Sequence, residues 1–196
     1  MSTLFDLAAT TPVPAPPAGA GPRPLVIGLD LSLTSTGVAG EGWSDKIRTK
    51  LRGDARLRAL KQGVVSFIRS ADLVVMEGPS FGHTGPRFHE DLAGLRSIVR
   101  LYCFEHHIPY AVMPPSCLKV YATGNGKASK DGVRAAIANR YGHATDGPAK
   151  DDEADAYVAM AAGYHWLGQP LKSVPESHRR GLDGCKWPEF LAGGAL

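Results

Sequence analysis

Leu25-Val26-Ile27-Gly28-Leu29-Asp30-Leu31-Ser32-Leu33-Thr34-Ser35-Thr36-Gly37-Val38-Ala39 is the stretch on which the fold of the whole chain turns. An apolar run containing one Gly leads into a lone carboxylate, and small hydroxyl residues with a second Gly carry the chain into another apolar run. The pattern predicts a buried strand, a tight turn and an antiparallel partner strand. Asp30 then falls within a sheet that is otherwise apolar. A carboxylate there needs a hydrogen-bond partner, a cation or a water-filled cleft. A capped Asp beside a turn would satisfy the same stretch, so the rest of the chain has to decide.

With 196 residues the chain is long enough for one domain with its own core. The formal net charge is only +3, but its distribution is uneven. Lys46, Arg48, Lys50, Arg52, Arg56, Arg58 and Lys61 crowd one segment, with Asp54 the acid among them, while Asp151, Asp152, Glu153 and Asp155 crowd another. A basic face beside an acidic pocket suits a protein that holds a polyanion and metal ions together. Cys103, Cys117 and Cys185 are odd in number and widely spaced, which argues against a disulfide framework or a zinc knuckle and for a reducing compartment. The sequence shows neither a secretory leader nor a membrane-spanning run, so the expectation is a soluble, cytoplasmic protein.

Residues 1–23 are rich in Ala, Pro, Thr and Gly and are expected to be a disordered tail. Residues 24–168 read as the folded domain, and residues 169–196 as an extension without a clear period or assignable role. Within the domain, alternation predicts a half-exposed third strand over Lys46 to Leu51. Helical spacing predicts a helix over Asp54 to Ile68. Asp72 to Glu77 reads as a short buried strand with a carboxylate at its carboxyl end, the edge where open α/β sheets place ligands. A loop with one aromatic, Phe81, leads to a helix over Phe88 to Glu105. That helix carries one apolar stripe at Phe88, Leu92, Leu95, Val99 and Tyr102 and another at Gly94, Ile98 and Leu101. Pro109 to Met113 is the fifth strand, and a short helix from Pro114 carries Lys119. Thr123 to Lys130 is a flexible basic loop that can present backbone N–H groups and the lysines Lys127 and Lys130 to phosphate. A last strong helix is expected over Lys150 to Trp166. The order of elements predicts an α/β fold, a mixed five-stranded sheet with helices on both faces.

Asp30 on the first strand, Glu77 ending the fourth, and Asp152 with Asp155 opening the last helix bring carboxylates from distant parts of the chain toward one site. Asp152 and Asp155 are three apart and share a helix face. Acids at a helix start are favoured by the macrodipole, but that does not account for four mutually repelling acids in five positions. Magnesium takes such oxygen ligands, and two ions can clamp an in-line attack on a phosphodiester.

Over residues 25 to 167 the chain resembles the RuvC-type Holliday-junction resolvases of the ribonuclease H-like superfamily, including the divergent members found in bacteriophages. The resemblance is carried by Ile27-Gly28-Leu29-Asp30 with Thr36-Gly37, by Val75-Met76-Glu77 with Phe81 near, and by Pro115 through Lys119. Gly124-x-Gly126-x-Ala128-x-Lys130 and Asp152-Glu153-Ala154-Asp155-Ala156 complete it. It implies a ribonuclease H-like sheet and an endonuclease that acts on four-way or related branched DNA with two Mg2+ ions, for which Mn2+ can substitute; the second stripe Gly94, Ile98 and Leu101 and the paired symmetric cuts of junction resolution point to a homodimer. It implies further that Asp30 bridges the ions and that Glu77, Asp152 and Asp155 complete their shells. Lys119 and Lys130 match family lysines that face DNA, with Lys130 nearest the scissile phosphate, and Lys127 of the basic loop is expected to bind DNA beside them. Phe81 stands one place beyond the family's aromatic wedge. Leu31 and Ser32 replace the Pro-Gly that often follows the first Asp, and Asp151 competes with Asp152 as a ligand.

Three other readings share parts of the pattern. The first stretch also resembles the phosphate loop of sugar kinases and actin-like ATPases, which need two such domains. A non-catalytic binder of branched DNA, or a ribonuclease H-like nuclease acting on RNA hybrids or flaps, are the remaining alternatives.

Overall fold

The computed structural model describes residues 22–79 and 86–188. Strands β1 (Val26–Asp30), β2 (Thr36–Gly40) and β3 (Trp43–Ile47) form the expected meander. They are followed by α1 (Gly53–Ile68), β4 (Leu73–Glu77), α2 (Pro86–Glu105), β5 (Tyr110–Met113) and α3 (Pro115–Thr123). Helices α4 (Lys130–Tyr141), α5 (Lys150–Trp166) and the short α6 (Glu176–Arg179) complete the order. The five-stranded sheet runs β3-β2-β1-β4-β5. Its meander pairs are antiparallel, whereas β1–β4 and β4–β5 are parallel, so the sheet is mixed as expected. The Pro-rich tail up to residue 21, Phe81 and residues 189–196 lie outside the described residues.

One strand is displaced from its expected place. The third strand occupies Trp43–Ile47, not Lys46 to Leu51. A two-residue turn at Glu41-Gly42 closes directly after β2, with Gly42 at φ 79°, and pairs Gly40 with Trp43. The absent side chain of Gly40 makes the room, since a Cβ there would lie 2.5 Å from the Trp43 ring. Trp43 also stacks on Phe67 with ring centroids 5.7 Å apart. Period-two alternation overlooks this strand because Ser44 and Asp45 lie inside it.

Strand alternation sorts the sheet into two faces. Ile27, Leu29, Val38, Val74 and Met76 pack with Leu60, Val64 and Ile68 of α1 and Leu95 and Val99 of α2. Val26, Ala39, Leu73 and Val75 pack on the other face against α5 and, behind it, α3 and α4. Helix α5 is buried almost all round from Ala156 to Tyr164, as a helix must be that is sandwiched between a sheet and further helices. Its approach is exceptionally close: a Cβ on Gly28 would lie 1.9 Å from the Ala156 carbonyl oxygen, and one on Gly37 2.0 Å from that of Asp152.

Residues 169–188 of the C-terminal extension pack on the domain more closely than their sequence suggests. Lys186 exchanges two backbone hydrogen bonds with Val112 on the outer edge of β5, covering part of an otherwise open strand. Trp187 stacks on Trp166 at 5.0 Å. Gly181 sits against the Cys117 carbonyl and the Tyr121 backbone of α3, where a Cβ would come within 2.5 Å. Among the described residues no helix is long and apolar enough to cross a membrane.

Candidate metal centre

Parity on two parallel strands builds the first half of the site. Val26, Gly28 and Asp30 share one face of β1, while Leu73, Val75 and Glu77 share the same face of β4. The register pairs Leu29 with Met76, so Asp30 and Glu77 follow side by side at the carboxyl ends of adjacent strands. The second half comes from α5, whose first turns lie directly over Gly28 and Gly37. One carboxylate oxygen from each of Asp30, Glu77 and Asp155 lies within 4.8 Å of the others.

Asp152 stands outside this compact trio, but its charge acts on both Asp30 and Asp155. Burial raises its own titration, against which Lys130 and then the Ser35 side chain favour the charged form. The four crowded acids therefore do not share one fate, because successive helix positions fan them apart. Asp151 turns to Arg134, with which it forms an ion pair, and lies 3.7 Å from Lys130 Nζ. Glu153 is buried, accepts from Lys46 Nζ at 3.1 Å and from Ser44 Oγ at 3.1 Å, and ties α5 to β3. Of the four, Asp155 joins the strand carboxylates, and Asp152 acts on Asp30 through its charge.

The trio carries more negative charge than it can stabilise alone. Burial, followed by Glu77, pushes the Asp30 carboxyl well above the usual carboxylate range, and the hydrogen bond between them favours the proton on Asp30. Glu77 is raised to about 7 by burial and then by Asp155. Asp155 is likewise raised to about 7 by burial and then by Asp30. Burial lowers the Lys130 ammonium, but Asp151, Asp155, Asp152 and Asp30 outweigh that effect, and its titration is raised overall. Oxygen donors only, a deficit of positive charge and convergence within 4.8 Å suit a hard divalent cation.

A stability test follows from these shifts. An acid whose folded-state titration lies above its unfolded value stabilises the fold while protonated, and that contribution is lost as pH rises through the folded value. For Glu77, moving from 4.5 to about 7, the loss at alkaline pH is on the order of 3 kcal/mol. In chelator, the melting temperature is therefore expected to fall between about pH 5 and pH 8, and Mg2+ is expected to raise it far more at the higher pH. A Mg2+ shift equal at both pH values would contradict the carboxylate site.

The lysines divide. Lys130 opens α4 behind the N-cap Ser129, whose Oγ accepts from Gly132 N at 3.1 Å, and it is the lysine that the structure brings to the carboxylates. Lys119 is half-buried on α3 and Lys127 is exposed in the loop, which Asn125 braces by accepting from Lys127 N at 2.9 Å. No ion pair links either lysine to the trio among the described residues. The basic segment is not uniformly free either. Lys46 is paired with Glu153, Arg48 donates to Ser35 Oγ at 3.3 Å, and Arg56 donates to the Leu51 carbonyl at 2.9 Å. Lys50, Arg52 and Arg58 remain exposed.

Sequence reasoning misses Ser35, Arg134 and Arg96. Ser35 lies inside the opening stretch but reads only as a turn residue. Arg96 carries a visible signal: it takes the i+4 place in the apolar series Leu92, Leu95, Val99, an odd position for a guanidinium.

No protein-family model matches the chain. The crossover junction endodeoxyribonuclease RuvC of Gloeobacter violaceus is 32% identical over 117 residues, covering 58% of this chain and 66% of that relative, just under two thirds of its length. The RuvC structure of Thermus thermophilus superposes with a TM-score of 0.59 at 19% identity, covering 77% of this chain and 99% of the other. The T. thermophilus RuvC structure in complex with a Holliday junction substrate gives a TM-score of 0.57 at 21% identity, with 78% and 99% covered. At these identities the structural likeness speaks for the fold.

Proposed function

We propose that the chain is a RuvC-type enzyme, a divalent-metal-dependent endonuclease that cuts phosphodiesters in four-way DNA junctions or related branched DNA. The observation that carries the proposal is the convergence of Asp30, Glu77 and Asp155, drawn from β1, β4 and α5, within 4.8 Å. The names of the relatives describe those proteins. The same chemistry is supported here by an acidic centre at the carboxyl edge of the same fold.

In this reading Asp30 is the central ligand, Glu77 and Asp155 flank it, and Asp152 completes the shell from the same face of α5. The occupation of Asp151 by Arg134 and Lys130 favours Asp152 over Asp151 for that role. Two Mg2+ ions, or Mn2+ in their place, would supply Lewis-acid activation of water and neutralise charge on the phosphate. Ser35 favours the charged form of Asp152. Lys130, exposed and flanked by the carboxylates, is positioned to meet a phosphate that enters over α4. Lys119, Lys127, Lys50, Arg52 and Arg58 would contact the backbone farther away, and Phe81, outside the described residues, remains the candidate wedge. The protein would work in the cytoplasm.

Resolving a junction needs two symmetric cuts, hence two active sites and a two-fold dimer. Helix α2 supports this with Leu101 55% exposed and, one turn on, Phe104 74% exposed. Phe104 extends the second stripe beyond the residues that periodicity selects, while Gly94 and Ile98 are only partly exposed. Sedimentation at micromolar concentration is expected to show a dimer, and a monomer that makes both cuts in one encounter would remove the dimer from the proposal.

Single-turnover cleavage of matched four-way, fork, flap, linear and RNA–DNA hybrid substrates tests the function. Cutting is expected with Mg2+ or Mn2+, not in chelator, and fastest on the junction. Junction binding without cutting in either metal would leave a non-catalytic binder, and faster cutting of RNA hybrids would favour a ribonuclease H-like nuclease acting on them. In the same assay Lys130→Ala is expected to lower the saturated rate by about tenfold or more with little change in affinity. Neutralising Lys50, Arg52 or Arg58 should weaken binding instead, shrinking the salt slope by about 0.9 for each phosphate that is no longer neutralised. Weaker binding with an unchanged saturated rate for Lys130→Ala would make Lys130 an ordinary phosphate-binding residue.

A further inference from the structure

Strand β2 is antiparallel to both of its neighbours and β4 is parallel to β1, so the carboxyl ends of β1, β3 and β4 share one edge of the sheet. Asp30 and Glu77 end two of these strands, and Arg48 directly follows the third. Alternation sets its face. Lys46 lies on the α5 side, where it meets Glu153, and Ile47 lies on the α1 side, where a Cβ on Gly63 would come within 2.6 Å of its Cγ2. Arg48 therefore returns to the α5 side, the face that carries Asp30 and Glu77. One step beyond the pair Thr36 and Ile47, the register brings Ser35 opposite Arg48. Their side chains meet: Arg48 Nε donates to Oγ of the buried Ser35 at 3.3 Å. The turn that carries Ser35 is braced in its turn by Thr36, whose Oγ1 donates to the Ser32 carbonyl at 2.8 Å. Arg48 itself is exposed, and among the described residues its Nη1 and Nη2 have neither a hydrogen bond nor an ion pair. An arginine is thus anchored at Nε with its fork open, two strand spacings or roughly 10 Å across the sheet from β1.

We infer that Arg48 is a clamp on the DNA strand being cut: its two terminal nitrogens hold the oxygens of a phosphate that flanks the scissile one. The inference rests on reading the carboxylate centre as that of a DNA endonuclease. A strand laid along the carboxyl edge of the sheet places its scissile phosphate over Asp30 and Glu77, and a neighbouring phosphate then passes over the end of β3. Arg48 stands at that second place. A guanidinium fork matches two phosphate oxygens at once, which a lysine ammonium cannot do. The bond from Nε to Ser35 holds the fork in position before DNA arrives, so less side-chain freedom is lost on binding. Arg48 thereby differs from the exposed Lys50, Arg52 and Arg58, for which no such anchor exists among the described residues. It binds one particular phosphate and sets the register of the strand on the metal site.

The test is a coupling cycle between protein and substrate. Four-way junctions are made with one neutral methylphosphonate at either phosphate flanking the cut, or at a phosphate several nucleotides away as a control. Wild type, Arg48→Ala and Arg48→Lys of the full chain are compared for affinity in Ca2+ and for single-turnover cleavage in Mg2+. On the native junction Arg48→Ala is expected to bind about tenfold more weakly than wild type. Neutralising one of the two flanking phosphates is expected to weaken wild type by a similar factor and to leave Arg48→Ala almost unchanged, whereas the control position weakens both alike. Arg48→Lys keeps the charge but loses the fork and its anchor, and is expected to bind little better than Arg48→Ala. A residue that merely supported the fold would show no such dependence on a single phosphate. Losses that multiply at both flanking positions overturn the inference, as does wild-type binding by Arg48→Lys. Multiplying losses in a protein that still cuts junctions remove Arg48 alone. A wild type that binds junctions and cuts none in Mg2+ defeats the endonuclease reading, and the clamp beside the cut falls with it.

Discussion

Asp155→Asn is expected to lower the single-turnover cleavage rate by about a thousandfold or more, equivalent to roughly 4 kcal/mol of transition-state stabilisation, while leaving junction affinity nearly unchanged. The amide has the shape of the carboxyl but not its charge, and Asp155 is one of three groups whose oxygens meet within 4.8 Å. The basic surface and Lys130 stay in place, so the binding energy survives. The same substitution is expected to raise the metal-free melting temperature at about pH 8, because it relieves the repulsion that burial and Asp30 impose on the Asp155 carboxyl. Lower activity with higher metal-free stability separates a lost ligand from a damaged fold. Asp30→Asn should behave alike in cleavage, and cutting retained at saturating Mg2+ by either variant would remove that residue from the ligand set.

Gly28→Ala is expected to be the most damaging small change among the described glycines. Its added Cβ would lie 1.9 Å from the Ala156 carbonyl oxygen and 2.6 Å from the Met160 nitrogen. Both are helix backbone and cannot move aside as a side chain could, so α5 must lift from β1 or the strand must bend. A loss of about 4 kcal/mol or more is expected, a large share of a typical domain's stability, with a fall of roughly 10 °C in melting temperature. Lifting α5 also carries Asp152 and Asp155 away from Asp30, so any folded fraction should bind Mg2+ weakly. A melting temperature within about 2 °C of wild type would show that α5 does not sit on β1 as described.

Much of this architecture is legible in the sequence because it is written in short-range patterns. The carboxylates at Asp30 and Glu77 end recognisable apolar strands, and α5 begins and ends at Lys150 and Trp166 as its composition suggests. Parity then sends both strand acids to one face. What stays hidden depends on interactions between distant segments. The third strand is misplaced by alternation because its register comes from the Glu41-Gly42 turn and the space over Gly40. The acidic run reads as one cluster, although Arg134 claims Asp151 and Lys46 with Ser44 claims Glu153. Lys46 therefore looks like part of a free basic face when it is the partner of a buried acid. The extension after Gln169 has no period because it is held at single points, Lys186 on Val112, Trp187 on Trp166 and Gly181 on α3.

The central claim is that β1, β4 and α5 gather their carboxylates to hold divalent metal. Anomalous scattering from crystals soaked in Mn2+ addresses it most directly. The expected result is a peak within coordination distance of Asp30, Glu77 and Asp155, lost in Asp155→Asn crystals treated alike. Mn2+ bound elsewhere, with that position empty in a protein that still cuts junctions, would contradict it.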